Sequence, residues 1–326
     1  MSTRLDRRGF IKTTGLALAA TALPAPTRMP GSHSVARSLR IAHFTDVHMD
    51  GSETAQSSFR RCLEKISKSR ADLTVDTGDA IMDSLYAPKE AALAQWASYK
   101  QVLSEVLGDS VVHVLGNHDI WGWGFPEGIQ NKLSETDPQF GKQLALDELG
   151  LESRYSSLDK GGWRLILLDS MSPASPNPTE SLGIPYIGRL DDEQFNWLEQ
   201  QMDFDGPVCI FSHIPILSGC ELFDGDNEVS GNWVVPGAWV HIDARRLRNL
   251  FMQRAGEYPY NPRVTCVSGH THQLEVLDHL GVRYITNGSV CGDWWSEDGH
   301  YLNTPRGYAI VDLFNDGTVE SEYRTY

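Results

Sequence analysis

The sequence predicts an α/β protein in which two mixed β-sheets pack as a sandwich flanked by helices. Three observations lead to it. Short apolar runs alternate with segments of helical spacing from Leu39 to Leu115. Strand-like runs without intervening helices crowd the end of the chain from Gln273 onward. Five apolar runs are followed closely by Asp, Asn or His, side chains that would share one crevice if the runs are strands of an open sheet.

The elements follow in order. Leu39 to Phe44 is an apolar run of strand length, and Ser58 to Ser69 spaces Phe59, Cys62, Leu63 and Ile66 as a helix does. Leu73 to Thr77 reads as the next strand. Pro88 to Leu107 reads as a helix opened by proline, whose missing N–H is spare in a first turn. Val111 to Leu115 is a third strand, which completes a βαβαβ order. Tyr155 to Leu158 and Trp163 to Leu168 then read as a hairpin around Lys160-Gly161-Gly162. Residues 171–189, rich in Pro, Ser, Asn and Gly, read as a long surface loop. Asp191 to Met202 is a capped amphipathic helix before the strand Pro207 to Phe211. A second helix, roughly Val240 to Arg254, precedes Val264 to Val267. Gln273 to Leu277, Val282 to Thr286, Tyr308 to Phe314 and Thr318 to Tyr323 read as antiparallel strands.

The amino terminus reads as an address. Arg7-Arg8-Gly9-Phe10-Ile11-Lys12 is a twin-arginine pattern, and an Ala-rich apolar stretch from Gly15 to Leu23 follows it. Ala20-Thr21-Ala22 and Ser34-Val35-Ala36 both offer small-x-small cleavage sites. The expectation is a signal peptide and linker over residues 1–36 and a single domain over 37–326. A partnership with the Tat export machinery and a periplasmic or secreted location would follow. Elsewhere no run of eighteen apolar residues occurs, so no permanent membrane span is expected.

A formal net charge of −15 repels nucleic-acid backbones, so a polymeric nucleic-acid partner is disfavoured. A small anionic substrate stays open, because bound cations reverse the local potential. Five cysteines without CxxC spacing exclude zinc-ribbon and thioredoxin readings. Cys209 and Cys266 fall inside apolar strands as small core residues. Cys220 and Cys291 lie in loops behind ligand-bearing strands, where an oxidising compartment would permit a disulfide.

The residues behind the strands read Asp46-Val47-His48, Gly78-Asp79, Gly116-Asn117-His118-Asp119, His213 and Gly269-His270-Thr271-His272. Carboxylate, amide and imidazole donors in this number can hold two divalent cations. Such a pair activates water and neutralises phosphoryl oxygens, which suits hydrolysis of a small-molecule phosphoester. The mixed oxygen and nitrogen set points to Mn, Fe or Zn.

In this order, Asp-x-His, Gly-Asp, Gly-Asn-His-Asp, His and Gly-His-x-His resemble the calcineurin-like metallophosphoesterase superfamily, over most of the chain from Asp46 to His272. The resemblance implies a double-sheet sandwich and a phosphodiesterase or phosphomonoesterase, in which a metal-bridging hydroxide attacks phosphorus in line. It is nearest to bacterial members described as cyclic-nucleotide phosphodiesterase-like. It further implies that Asp46, His48 and His272 bind one metal, that Asn117, His213 and His270 bind the other, and that Asp79 bridges them. His118 would assist the leaving oxygen without binding metal. One departure stands out: where the family shows Gly-Asp-x-x-Asp, Met82 occupies the last place and Asp83 follows it. Whether Asp83 or Asp119 orients His118 is therefore open. Scaffold members of the superfamily, which bind without catalysing, lack several ligand positions, whereas this chain keeps all seven.

The remaining histidines read as structural, with His43 and His113 inside apolar strands as core or ligand-supporting residues. Trp121 and Trp123 follow His118, and Trp294 and Trp295 follow Asn287-Gly288-Ser289. Tryptophan usually anchors loops or cores. These four also border the predicted site, where they would form a wall that stacks an organic leaving group.

Overall fold

The computed structural model describes residues 35–326 apart from 109, 175–182, 223–230, 232–234, 255–262 and 298. The signal and linker expected over 1–36 lie almost wholly outside the described residues. The first strand, β1 (Arg37–Phe44), pairs in parallel with β2 (Leu73–Asp76), which pairs in parallel with β3 (Val111–His113). On its other side β1 runs antiparallel to β14 (Gly307–Phe314), followed by β15 (Val319–Thr325), so the first sheet has five strands. The second sheet has six, in the order β10-β11-β9-β8-β5-β4. These are β4 (Ser156–Lys160), β5 (Trp163–Leu167), β8 (Val208–Phe211), β9 (Val264–Ser268), β10 (Glu275–His279) and β11 (Val282–Thr286). Both sheets are mixed. Among the described residues, no helix is long and apolar enough to cross a membrane.

Side-chain alternation explains why the sheets face each other. Leu39 and Ile41 of β1, Trp163, Leu165 and Leu167 of β5, Cys209 and Phe211 of β8 and Val311 and Leu313 of β14 share one apolar layer between the sheets. The intervening residues point outward: Ala42 and Phe44 toward α1 (Glu53–Ser67) and α2 (Lys89–Val106), with Phe59, Leu63, Trp96 and Tyr99. Ile166, Ile210 and Cys266 face the other way, toward Phe195 and Leu198 and toward Leu247 and Phe251. A one-residue slip would exchange these faces, so burial fixes the register. The result is a helix–sheet–sheet–helix sandwich, as the sequence predicts.

Boundaries moved where side chains intervene. Helix α1 begins five residues before Ser58, because Ser52 accepts the Ala55 N–H and caps it. Pro88 caps α2 rather than entering it. Gly161 and Gly162, both at positive φ, close the β4–β5 hairpin. The expected loop at 171–189 contains a short ribbon, β6 (Met171–Pro173) with β7 (Tyr186–Gly188). Two helices not foreseen, α3 (Glu127–Thr136) and α4 (Gln143–Leu149), lie between β3 and β4. Further on, α5 (Asp192–Gln201) and α6 (Ala244–Met252) cover the second sheet.

Candidate active site

Each predicted ligand follows the carboxyl end of a strand: Asp46 and His48 after β1, Asp79 after β2, Asn117 and His118 in a 3-10 turn after the edge strand β3, His213 after β8, and His270 and His272 after β9. All seven ligand side chains and His118 are brought together. Asp46, His48, Asp79, His270 and His272 have φ between 47° and 70°, a region that non-glycine residues rarely adopt. Five such residues in one place mark backbone strain concentrated at a functional site.

Glycines allow this approach. A Cβ on Gly116 would overlap the backbone and carboxylate of Asp79, and one on Gly269 would overlap the Thr45 hydroxyl and the Asp46 carboxylate. Asp119 ties two of the turns together by accepting N–H bonds from Gly116 (2.8 Å), Asp79 (3.0 Å) and Ala80 (2.9 Å).

The donor atoms face inward without partners of opposite kind. His213 Nδ1 donates to the Thr77 carbonyl (2.8 Å), His272 Nδ1 to Gly292 (2.8 Å) and His270 Nε2 to Ala238 (3.0 Å). Carbonyls only accept, so the other nitrogen of each ring is the one left to hold a metal once it carries no proton. Those nitrogens meet other acceptors. His270 Nδ1 is 3.1 Å from His213 Nε2, which is 3.0 Å from Asn117 Oδ1 and 3.3 Å from Asp79 Oδ2. His272 Nε2 is 3.2 Å from His48 Nε2 and 3.3 Å from Asp46 Oδ1, a buried oxygen without any hydrogen bond. Asp79 Oδ2 stands between the two groups, 3.6 Å from His48 Nε2, while its Oδ1 accepts the His118 N–H at 2.7 Å.

Such an assembly needs positive charge at its centre. Burial opposes ionisation of Asp46, yet His272 and His213 hold its carboxyl below the usual range. Against burial, the Asp79 carboxylate pushes His213 up to about 9, whereas burial pulls His270 down to about 3. The field that draws a proton to His213 draws a metal cation equally. His48 with Asp79 and His118, and Asp79 with His213 and His270, are spaced to hold one.

Other predicted residues lie elsewhere. Asp83 accepts N–H bonds from Leu85 and Tyr86, and Asp119 accepts those described above; neither hydrogen-bonds His118. The expected four-tryptophan wall reduces to Trp294. Trp121 is buried in the core with its Nε1 on the Ala87 carbonyl, Trp123 packs beneath Lys142, and Trp295 donates to the His48 carbonyl at 2.8 Å. Core packing won because Trp121 and Trp123 fall on the α3–α4 side of the chain. The open cleft, about 220 Å³, is lined instead by Tyr186, Trp239, Trp294 and Tyr301 around Asp79, Asn117, His118, His270 and His272. Tyr186 opens β7 and Trp239 lies in a turn behind Pro236-Gly237, and the spacing of neither carries a ligand signal.

His43 and His113 support the site from behind. His43 bridges Thr77 and Asn287, both at 2.8 Å, and His113 meets Asp76 at 3.0 Å. All five cysteines are thiols, and Cys291 Sγ lies 3.9 Å from His272 Nδ1.

The family model for calcineurin-like phosphoesterases matches residues 39–274, a span that holds every one of these ligands. The chain belongs to that family. Among similar phosphoesterases is the 3',5'-cyclic adenosine monophosphate phosphodiesterase CpdA of Pseudomonas aeruginosa, 26% identical over 83% of this chain and 81% of that one. A 3',5'-cyclic-nucleotide phosphodiesterase of Nostoc is 23% identical over 86% of this chain and 90% of its own length. A dimetal phosphatase from Danio rerio covers 89% of this chain and all of its own, with a TM-score of 0.56 at 15% identity, a likeness of fold. This phosphoesterase thus has its family's sandwich and a cluster of Asp and His able to hold metal.

Proposed function

We propose that this phosphoesterase is a dinuclear metal enzyme that hydrolyses phosphodiesters, with phosphomonoesters as poorer substrates. The observation that carries the reading is the convergence of buried imidazole nitrogens with carboxylate and amide oxygens, all within 3.3 Å of a neighbour. Asp46, His48 and His272 would hold one cation, Asn117, His213 and His270 the other, and Asp79 would be shared between them. Imidazole with carboxylate favours Mn, Fe or Zn. When bound, the cations supply an activated water and neutralise phosphoryl charge.

The chain's own residues do the rest. His118, at the cleft, gives a proton to the departing oxygen. No Lys or Arg is among the described residues lining the cleft, so a dianionic monoester lacks a side-chain counter-charge there, which favours a monoanionic diester. The names of the relatives above, cyclic-nucleotide phosphodiesterases, agree with a diester. The twin-arginine pattern supports export to the periplasm or beyond, with residues 1–36 as the signal and linker.

Metal analysis of purified protein, followed by turnover of bis-p-nitrophenyl phosphate, cyclic nucleotides, glycerophosphodiesters and p-nitrophenyl phosphate with Mn, Fe and Zn, tests the reading. Two equivalents of metal and a preference for diesters are expected. One equivalent, or a preference for the monoester, contradicts it.

A further inference from the structure

Among the described residues, no hydrogen bond orients the His118 ring. Its Nδ1 is buried without a partner, and of the ligand rings only His48 likewise has such an Nδ1. Asp79 has a carboxylate oxygen within 4.8 Å of a His118 ring nitrogen but no hydrogen bond to it, Asp83 and Asp119 are occupied by backbone N–H groups, and Met82 cannot take their place. What bounds the imidazole is aromatic: His48 meets it edge-on at 4.9 Å and 82°, and Trp294 meets it at 5.1 Å and 60°.

We propose that Trp294 is the positioning residue for His118, its indole replacing a carboxylate as the element that fixes the imidazole. The inference rests on the reading of His118 as proton donor.

The loop that carries Trp294 is built to present it. Trp294 and Trp295 follow one another at φ 46° and 66°, a conformation bulky side chains rarely take. Strain of this kind persists only where surrounding bonds over-determine it. Here they do: Trp295 donates to the His48 carbonyl at 2.8 Å, and Arg306 donates to the Cys291 carbonyl at 3.0 Å and the Ser296 carbonyl at 2.6 Å. Yet the indole so placed remains 42% exposed, so burial of its own surface does not account for its position. It stands over His118, His48 and His272 at the cleft wall.

In the step concerned, the oxygen of water bonds to phosphorus as the ester P–O bond breaks. The leaving oxygen keeps the electron pair and takes its proton from His118. The ring then recovers the proton that water gives up. A ring free to turn about its χ angles misses the leaving oxygen, and the loss grows with the basicity of the alkoxide.

The test uses full-length protein loaded with Mn. His118→Ala and Trp294→Ala are each compared with the parent on bis-p-nitrophenyl phosphate and on a glycerophosphodiester, whose alkoxide leaves poorly. Both variants are expected to lose kcat about 100-fold on the alkyl substrate and under about 10-fold on the nitrophenyl one. The double variant should lose no more than His118→Ala alone, because Trp294 acts through His118. Trp294→Phe should recover most of the rate. Metal content should not change, and crystals of Trp294→Ala should show His118 in more than one rotamer. Multiplying losses, loss of metal, or a raised KM at unchanged kcat would each overturn the proposal in favour of a wall or a ligand support. Full kcat in His118→Ala overturns the proton-donor reading as well, which separates the two failures.

Discussion

Asp79 divides its work between two oxygens: Oδ1 holds the His118 N–H, and Oδ2 faces His48 and His213. Asp79→Asn keeps the size, removes the charge and turns either an N–H₂ or a neutral oxygen toward those nitrogens. Turnover of bis-p-nitrophenyl phosphate is expected to fall at least about 1000-fold with loss of bound metal, and near-parent turnover would refute the shared-ligand role. A second residue-scale consequence concerns acid. Burial pulls His43 down to about 4 while an unfolded histidine titrates near 6.5, so between those values only the unfolded chain takes up the proton. Stability of metal-stripped protein therefore falls as pH drops from about 6.5 to about 4, by about 3 kcal/mol from this group. His270, lower still, acts in the same direction, and His213, held up near 9, contributes nothing new in that window. Urea midpoints should decline less steeply with acid in His43→Asn than in the parent.

At the scale of elements, the strand ends do the aiming and glycine lets them close. Gly269 turns β9 into the His270-Thr271-His272 loop within reach of Asp46, whose Oδ2 accepts the His270 N–H at 2.9 Å. A methyl group there strikes Thr45 and Asp46, so Gly269→Ala should lower stability by about 1–3 kcal/mol and weaken metal binding. Gly128 of α3 has open space around the same atom. Gly128→Ala should gain about 0.5–1 kcal/mol by removing glycine from a helix. Paired denaturant titrations of the two variants, with opposite signs, distinguish close approach from general glycine effects.

The whole molecule joins two sheets through one apolar layer, and the site straddles both. Asp46, Asp79 and Asn117 come from the first sheet, and His213, His270 and His272 from the second. A metal bound there would act as a clasp between the halves of the sandwich. At metal concentrations about 1000-fold above Kd, binding contributes about 4 kcal/mol, so a strong chelator should lower the melting temperature by several degrees. An unchanged melting temperature, with metal shown to have left, would mean the site adds nothing to the fold. Export is tested at the same scale. A reporter that matures only after twin-arginine transport, fused behind residues 1–36, should reach the periplasm, and Arg7→Lys with Arg8→Lys should strand it in the cytoplasm.

The sequence by itself determined the sandwich, the order of most strands and the full set of convergent donors. Period-two burial and strand-end motifs are local signals, and each of Asp46, His48, Asp79, Asn117, His213, His270 and His272 sits directly behind one. Helix α3 is obscured in the sequence because its Gly, Asn and Thr residues blur helical periodicity, and α4 because its 7 residues are too few to show one. Tertiary structure alone decided the duties of Asp83 and Asp119, which went to backbone turns rather than to His118. It alone also chose Tyr186, Trp239 and Tyr301 as cleft lining and sent Trp121 to the core. The division has a physical reason. A ligand's place is set by the strand that precedes it, a few residues away in sequence. A wall or a second contact is set by which distant loops the packed sheets happen to bring within a few ångströms, and nothing in the local sequence encodes that distance.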